Sequence, residues 1–349
     1  MIRECIPSLL ENQHLTMDQA RDAMKEMMTG DATPAQVAAF LVALKKKGET
    51  VEEITALAAT MRQFSRRIYP RVDGYLLDTC GTGGDRTKTF NVSTTCAFVV
   101  AAAGVPVAKH GNRSFTSRCG SADVLERLGL NLNMEPELVE RSIREVGVGF
   151  MFAPNFHPAM KNVASVRKEM GIRTVFNILG PLVNPAGANA QLIGVYDPGL
   201  LEPMCEAAHN LGAKSVMTVH GLDGMDEISV TGKTAIVRIQ NGTRVREEIV
   251  PEELGLKRAL QEEVAGHDVE ENARLTSRIL SGSLPMEDPR VQIVLANAAA
   301  GLVLCDKAKD FRDGVELAAQ SMKDGEPLRK LRELIAFSNG NPDRLAGLA

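Results

Sequence analysis

From about residue 75 onward, short apolar runs alternate with helical segments, and this alternation is the feature that most restricts the fold. Such an order predicts an α/β domain with parallel strands, whose carboxyl ends carry the loops that bind ligands. The predicted strands are residues 76–79, 105–108, 149–153, 192–196 and 215–220. The predicted helices between them are residues 94–103, 121–128, 136–145 and 201–211.

The segments on either side of this pattern are predicted from local signals. Thr16, Thr33 and Thr50 each stand three residues before Gln or Glu, and these three capping boxes predict helices that start directly after them. The lysine run at residues 45–47 is interpreted as the solvated end of the second helix. Asn241-Gly242, between apolar stretches at 235–240 and 245–250, predicts a type I′ hairpin. Residues 272–337 are predicted to be mostly helical.

Composition excludes several classes of protein. The 349 residues suffice for two domains, while a net charge of -4 and only 4% aromatic residues argue against nucleic-acid binding. No apolar run approaches the roughly 20 residues of a membrane span, and early charged residues lead us to expect no signal peptide. The six cysteines are scattered and form no Cys-x-x-Cys pair, which indicates reduced thiols and predicts a cytoplasmic location.

A glycine turn, Asp78-Thr79-Cys80-Gly81-Thr82-Gly83-Gly84-Asp85, follows the first apolar run. Glycines permit positive φ and let backbone N–H groups approach an anion closely. The turn lacks the third glycine of a dinucleotide fingerprint, and no Gly-Lys-Ser/Thr is present for a nucleotide P-loop. A tight turn without a ligand is the alternative interpretation of this segment.

A second loop, Lys109-His110-Gly111-Asn112-Arg113-Ser114, follows the next apolar run. Its lysine and arginine can neutralise phosphate charge, and Gly111 permits close approach. Two anion-binding loops at the ends of neighbouring strands predict a ligand that carries phosphate at both ends of a sugar.

These two loops, together with four further blocks, resemble the anthranilate phosphoribosyltransferase family, which catalyses the second step of tryptophan biosynthesis. The further blocks are Asn91-Val92-Ser93-Thr94, His157-Pro158-Ala159-Met160 leading to Val166-Arg167, Gly180-Pro181-Leu182-Val183-Asn184-Pro185, and Gly224-Met225-Asp226-Glu227. All six occur in the family's order and cover most of the chain. Six ordered blocks are far more specific than a lone Gly-Thr-Gly-Gly.

The resemblance implies an α/β fold class with two domains. A small all-helical N-terminal domain is expected over residues 1–70, with inserted helices near residues 164–178. A larger α/β domain with a central, mainly parallel sheet is expected over residues 71–349. The active site would lie in the cleft between them, and the helical domains would form a homodimer interface.

The resemblance also implies the site residues. The phosphoribosyl donor, 5-phospho-α-D-ribose 1-diphosphate (PRPP), is expected to contact Gly81, Gly84, Asp85, Thr89, Asn91, Val92, Ser93, Thr94, Lys109, His110, Gly111, Asn112, Arg113, Ser114, Phe115, Thr116, Ser117 and Ser121. Anthranilate is expected to contact Gly81, Asn112 and Arg167, and Mg²⁺ to bind Ser93, Asp226 and Glu227. In isolation, the acidic turn at 223–227 is better interpreted as a solvated loop, and Arg167 as a surface arginine.

The implied reaction is nucleophilic substitution at the anomeric carbon of PRPP by the amine of anthranilate. No catalytic acid or base is assigned, and His110 is the one nearby candidate for accepting the amine proton. Residues 115–119 and Arg86 depart from the family's usual residues.

Two alternative functions are considered. They are a pyrimidine nucleoside phosphorylase of the same fold and a non-catalytic relative that binds nucleic acid or protein. The first would continue with glycines after Lys109-His110-Gly111, and the second would lose Asp226, Glu227 or Arg167.

Overall fold

The computed structural model describes residues 1–84, 89–114 and 119–348. The strands are β1 Leu77–Gly81, β2 Val107–Gly111, β3 Val148–Phe152, β4 Ala190–Gly194, β5 Ser215–Gly221, β6 Thr234–Gln240 and β7 Thr243–Ile249. The helices are α1 Ile2–Leu10, α2 Met17–Thr29, α3 Pro34–Lys47, α4 Val51–Gln63, α5 Val92–Ala102, α6 Ser121–Arg127, α7 Pro136–Glu145, α8 Ala153–Phe156, α9 Lys161–Met170, α10 Phe176–Leu179, α11 Leu201–Asn210, α12 Val269–Leu280, α13 Pro289–Leu304, α14 Phe311–Lys323, α15 Glu326–Phe337 and α16 Pro342–Ala346. Short 3₁₀ turns occupy Pro158–Met160, Gly180–Val183, Pro198–Leu200, Pro251–Leu254 and Gln261–Val264.

In the described part of the chain, seven strands form one sheet in the order β3-β2-β1-β4-β5-β6-β7. The first five strands along the chain run parallel, whereas β6 and β7 are antiparallel to their neighbours. The chain builds outward from β1 to β3 and then returns to place β4 on the other side of β1. That reversal creates a crevice at the carboxyl ends of β1 and β4, the place where open α/β sheets bind ligands.

The predicted strands and helices are confirmed, and their observed bounds differ by a few residues at most. The hairpin turn is also as predicted, because Asn241 and Gly242 both have positive φ, at 52° and 73°. Helix α1 was not predicted. Its N-terminal residue makes no side-chain cap and Pro7 lies inside it, so the usual sequence signals of a helix start are missing.

The N-terminal helices form a bundle whose entry points are the three predicted capping boxes, each with both reciprocal hydrogen bonds. The interpretation of residues 45–47 as a solvated helix end was wrong for Lys47. Its Nζ lies 2.7 Å from Oε2 of Glu53, and both side chains are almost fully buried. Oε1 of Glu53 also accepts from the Leu15 backbone N–H at 2.8 Å, which satisfies the buried carboxylate.

Helix α9 joins this bundle although it lies a hundred residues later in the sequence, because it packs against α2 and α3. Val163 and Val166 are its buried residues and belong to the same apolar cluster as the bundle. The same cluster extends through α11 to Ile193 and Val216 on one face of the sheet. The bundle is therefore held directly against the strands that border the crevice.

None of the helices in the described ranges has the length and apolar character that crossing a bilayer requires.

Candidate active site

The glycine turn after β1 lies across the end of β4. The Thr82 N–H donates to the carbonyl oxygen of Gly194 at 2.8 Å, and the Thr82 hydroxyl accepts from the Tyr196 N–H at 3.1 Å. Gly84 has φ +80°, and a Cβ atom there would lie 2.2 Å from Nη2 of Arg173. The positive φ favours glycine at this position, and a side chain there would also displace the Arg173 guanidinium.

The turn forms one wall of a cavity of about 300 Å³, which we term the donor cavity. The other walls are the start of α5, the loop after β2 and the turn that carries Asp226 and Glu227. The cavity brings together the predicted donor-binding residues Gly81, Gly84, Thr89, Asn91, Val92, Ser93, Thr94, Lys109, His110, Gly111, Asn112, Arg113, Ser114 and Ser121. The remaining predicted ones, Asp85, Phe115, Thr116 and Ser117, lie outside the described residues, as do Arg86 and Arg118.

Lys109 is the buried cation of the donor cavity, with only 3% of its surface exposed. Its Nζ donates to the Thr79 carbonyl at 2.5 Å and to the Ser93 hydroxyl at 3.4 Å. Asp78 lies below it, and burial raises the pKa of this carboxyl while the charge of Lys109 opposes the rise. The cation is thereby held at the base of the cavity, beside the start of α5.

Two carboxylates, Asp226 and Glu227, line the same cavity from the turn after β5. Oδ2 of Asp226 accepts from the Gly83 N–H at 3.1 Å, and Oε1 of Glu227 accepts from the Ser93 N–H at 3.2 Å. The acidic pair therefore joins the glycine turn to the start of α5. Asp223, in the same turn, instead bonds the hydroxyl of Ser229.

Arg113 lies at the outer rim and pairs with two carboxylates of α6. Its Nη1 lies 2.8 Å from Oε2 of Glu126 and 3.0 Å from Oδ1 of Asp123. The hydrogen bonds that the guanidinium donates, first to Glu126 and second to Asp123, raise the pKa of Arg113. A phosphate at this rim would compete with these carboxylates for Arg113.

A second cavity of about 550 Å³, the acceptor cavity, lies beside the first and is more apolar. Arg167 of α9, His157, Phe176 and Pro181 are among its lining residues. The Arg167 guanidinium stacks over the Phe176 ring at 5.1 Å, and burial lowers the pKa of Arg167. Arg167 is therefore a half-buried cation in an aromatic setting rather than an ordinary surface arginine.

The two cavities share one wall, and His110 and Asn112 lie on it. The other shared residues are Cys80, Gly81, Thr82, Gly111 and Asn177. These shared residues bring the two cavities next to each other.

Sequence reasoning assigned no site role to Arg173, Asn177 or His157. Arg173 lies in the segment between α9 and α10, where its Nη2 donates to the Gly84 carbonyl at 2.7 Å. Only His157 stood in a motif that had been singled out. Arg173 and Asn177 reach the site through the path of the chain, and no local pattern marks them.

Comparison with known proteins agrees with this geometry. Residues 73–328 match the family described as "Glycosyl transferase family, a/b domain", and residues 3–65 match its helical bundle domain. Anthranilate phosphoribosyltransferase of Symbiobacterium thermophilum is 52% identical over 97% of this chain and 98% of its own. The chain belongs to the anthranilate phosphoribosyltransferase family. It is therefore a glycosyltransferase, and the family predicted from the motifs is confirmed.

Two solved structures extend the comparison to the fold. Anthranilate phosphoribosyltransferase from Thermus thermophilus superposes with a TM-score of 0.89 at 43% identity, covering 96% of this chain and 99% of that one. The enzyme from Saccharomyces cerevisiae in complex with PRPP and Mg also gives 0.89, at 28% identity, covering 97% and 98%. The predicted fold class, a small helical domain with a larger α/β domain, is confirmed.

Proposed function

We propose that this protein transfers the phosphoribosyl group of PRPP to the amine of anthranilate, giving N-(5-phosphoribosyl)anthranilate and diphosphate. The observation that carries the proposal is the pair of adjacent cavities that share one wall at one edge of the sheet. One is polar and is lined by glycines, hydroxyl side chains and Lys109, and the other is more apolar and is lined by the cations Lys161 and Arg167. A phosphorylated sugar suits the first, and an aromatic carboxylate suits the second.

The donor cavity supports binding of a diphosphate through fixed positive groups. The first turn of α5 lines the cavity, and Lys109 lies next to Ser93 in that turn. Gly81 and Gly111 leave room on the shared wall, where a side chain would meet Asp226 or Ser121. These features support a position for the diphosphate near α5 and for the ribose near the shared wall.

Mg²⁺ is the metal that the residues of this cavity fit. Ser93, Asp226 and Glu227 supply hard oxygen atoms, and magnesium is typically held by one or two carboxylates together with substrate phosphates. When bound, the ion neutralises charge on the departing diphosphate. Without a cation, two carboxylates would repel an anionic donor, which is a further reason to assign them to metal.

The acceptor cavity supports recognition of anthranilate by its carboxylate. Lys161 and Arg167 are cations that line this cavity, and we assign the carboxylate to Arg167, which stacks on Phe176. Gly81 and Asn112 lie on the shared wall, on the side from which the amine would approach. A bidentate arginine contact orients a planar carboxylate, so the neighbouring amine is aimed at the sugar.

The proposal includes a division into domains and an assembly. Residues 1–70 with the inserted helices near 164–178 form the helical domain, and residues 71–349 form the α/β domain. The assembly we propose is a homodimer through the helical domains, whose interface could cover the exposed apolar side chains of Leu10, Met17 and Val42. Light scattering of the purified protein measures this assembly.

The six free thiols support a reducing compartment, and we assign the protein to the cytoplasm.

The decisive experiment follows the fluorescence of anthranilate after addition of PRPP and Mg²⁺. Loss of the signal with release of diphosphate is expected, and omission of either addition should prevent it. A parallel assay with pyrimidine nucleosides and phosphate tests the phosphorylase alternative. Turnover of pyrimidine nucleosides without any turnover of anthranilate would overturn the proposal.

A further inference from the structure

His110, on the wall shared by the two cavities, and His157, in the acceptor cavity, form a buried imidazole pair. The side chains are 9% and 5% exposed, and the ring centroids are 5.0 Å apart. Within the described ranges, Nε2 of His110 and both ring nitrogens of His157 have no hydrogen-bond partner. Buried polar atoms in folded proteins are nearly always paired, so these nitrogens indicate a ligand or a chemical role.

The protonation state of His110 follows from its surroundings. Burial is the largest influence and lowers its pKa to about 4, and burial together with the charge of His110 lowers the pKa of His157 to about 3. The Gly180 carbonyl bonds the His110 ring. Since Nε2 has no partner and a carbonyl only accepts, Nδ1 carries the proton. Nε2 of His110 therefore holds a free lone pair at neutral pH.

The other described residues of the shared wall do not offer a base. Only Cys80 and His110 among them titrate, and burial raises the pKa of the Cys80 thiol well above its usual range. The remaining members are glycines, Thr82 and two asparagines. The ortho carboxylate of the acceptor is the competing base, but pairing with Arg167 makes it less basic.

We propose that His110 is the general base of the reaction, which rests on the function proposed above. The amine nitrogen forms a bond to C1 of the ribose, and the bond from C1 to the diphosphate oxygen breaks with its electron pair leaving on that oxygen. The attacking nitrogen loses one proton to Nε2 of His110, and the imidazolium returns that proton to solvent when the products leave. An arylammonium is a strong acid, so a weakly basic imidazole suffices, and its depressed pKa keeps it unprotonated before each turnover.

The experiment compares His110→Gln, His110→Ala and His157→Gln with the surface control His209→Gln, with folding checked by thermal unfolding and by PRPP binding. We expect kcat of His110→Gln to fall about a hundredfold or more while the KM for PRPP changes little. Added imidazole should restore part of the activity of His110→Ala and none of that of His157→Gln. The control should match the wild type.

Three outcomes would overturn the proposal: an unchanged kcat in His110→Gln, a larger loss in His157→Gln than in His110→Gln, or a rise in KM for anthranilate alone. The single-turnover rate of the wild type in D₂O provides a test that needs no variant. A slower rate in D₂O is expected, and equal rates would contradict proton transfer to His110 in the bond-forming step. Wild-type turnover separates the two proposals, because its absence would refute the function itself.

Discussion

The guanidinium of Arg173 donates a hydrogen bond to the carbonyl oxygen of Gly84 over 2.7 Å. The same group stacks over the Tyr196 ring, whose centroid lies 4.3 Å from Cζ of Arg173. One side chain from the segment between α9 and α10 thus holds the glycine turn after β1 against the loop after β4. Arg173 connects the acceptor side of the cleft, which carries Arg167, to the loop on the donor side.

Replacing Arg173 by alanine should raise the KM for PRPP about tenfold. The variant loses a charge-assisted hydrogen bond, and such a bond contributes about 1.5–3 kcal/mol. Part of this energy holds the glycine turn in place, so its loss should weaken the binding of PRPP to that turn. Arg173→Lys keeps the charge but not the planar stacking, so its KM for PRPP should lie between those of the wild type and Arg173→Ala. Steady-state kinetics with varied PRPP measures the effect. An unchanged KM for PRPP in Arg173→Ala would show that the turn keeps its place without this contact.

The double variant Asp226→Asn, Glu227→Gln should lose turnover at limiting Mg²⁺ by roughly a hundredfold, because diphosphate departure is left without charge compensation. The fold should persist, since both amides can still accept from the Gly83 and Ser93 N–H groups. Asp223→Asn, in the same turn, is the matched control and should keep its Mg²⁺ dependence. Activity of the double variant equal to wild type across a Mg²⁺ titration would refute the metal assignment.

Arg113→Ala should weaken PRPP much more than anthranilate. Loss of a charge-assisted contact costs about 1.5–3 kcal/mol, so a roughly tenfold to hundredfold weaker affinity is the upper range at this exposed rim. Glu126→Gln is the complementary variant, because it removes a carboxylate that competes for the guanidinium, and it should tighten PRPP binding. Calorimetric titration with PRPP measures both. Equal affinities in the wild type and both variants would mean that Arg113 serves only to hold α6.

Arg167→Ala should reduce affinity for anthranilate while that for PRPP changes little. Aniline lacks the carboxylate, so it should be a poor substrate of the wild type and hardly worse with the variant. Apparent affinities and aniline turnover in both proteins provide the measurement. Equal losses of activity with anthranilate and aniline would indicate that Arg167 supports the cleft through its stacking on Phe176. The carboxylate of anthranilate would then have to be assigned to another residue.

The local elements of the fold were predictable because their signals are short range. Capping boxes at Thr16, Thr33 and Thr50 act within three residues, and the Asn241-Gly242 turn requires only its own backbone angles. Helix α1 escaped prediction because it lacks such a cap. The buried pairing of Lys47 with Glu53 was missed because burial depends on the whole bundle.

For the site, the sequence by itself determined the two loops that are predicted to bind anions, since glycine and lysine at strand ends suit that chemistry wherever the strands lie. The sequence also contains the acidic pair Asp226 and Glu227 and the motif with His110, and the family resemblance marked both as parts of the site. Only the tertiary structure decided that β4 returns beside β1, that Arg173 reaches Gly84, and that His110 and His157 meet at the wall between two cavities. These relationships join residues about fifty to over a hundred positions apart. They arise from packing the bundle against the sheet, which no local pattern encodes.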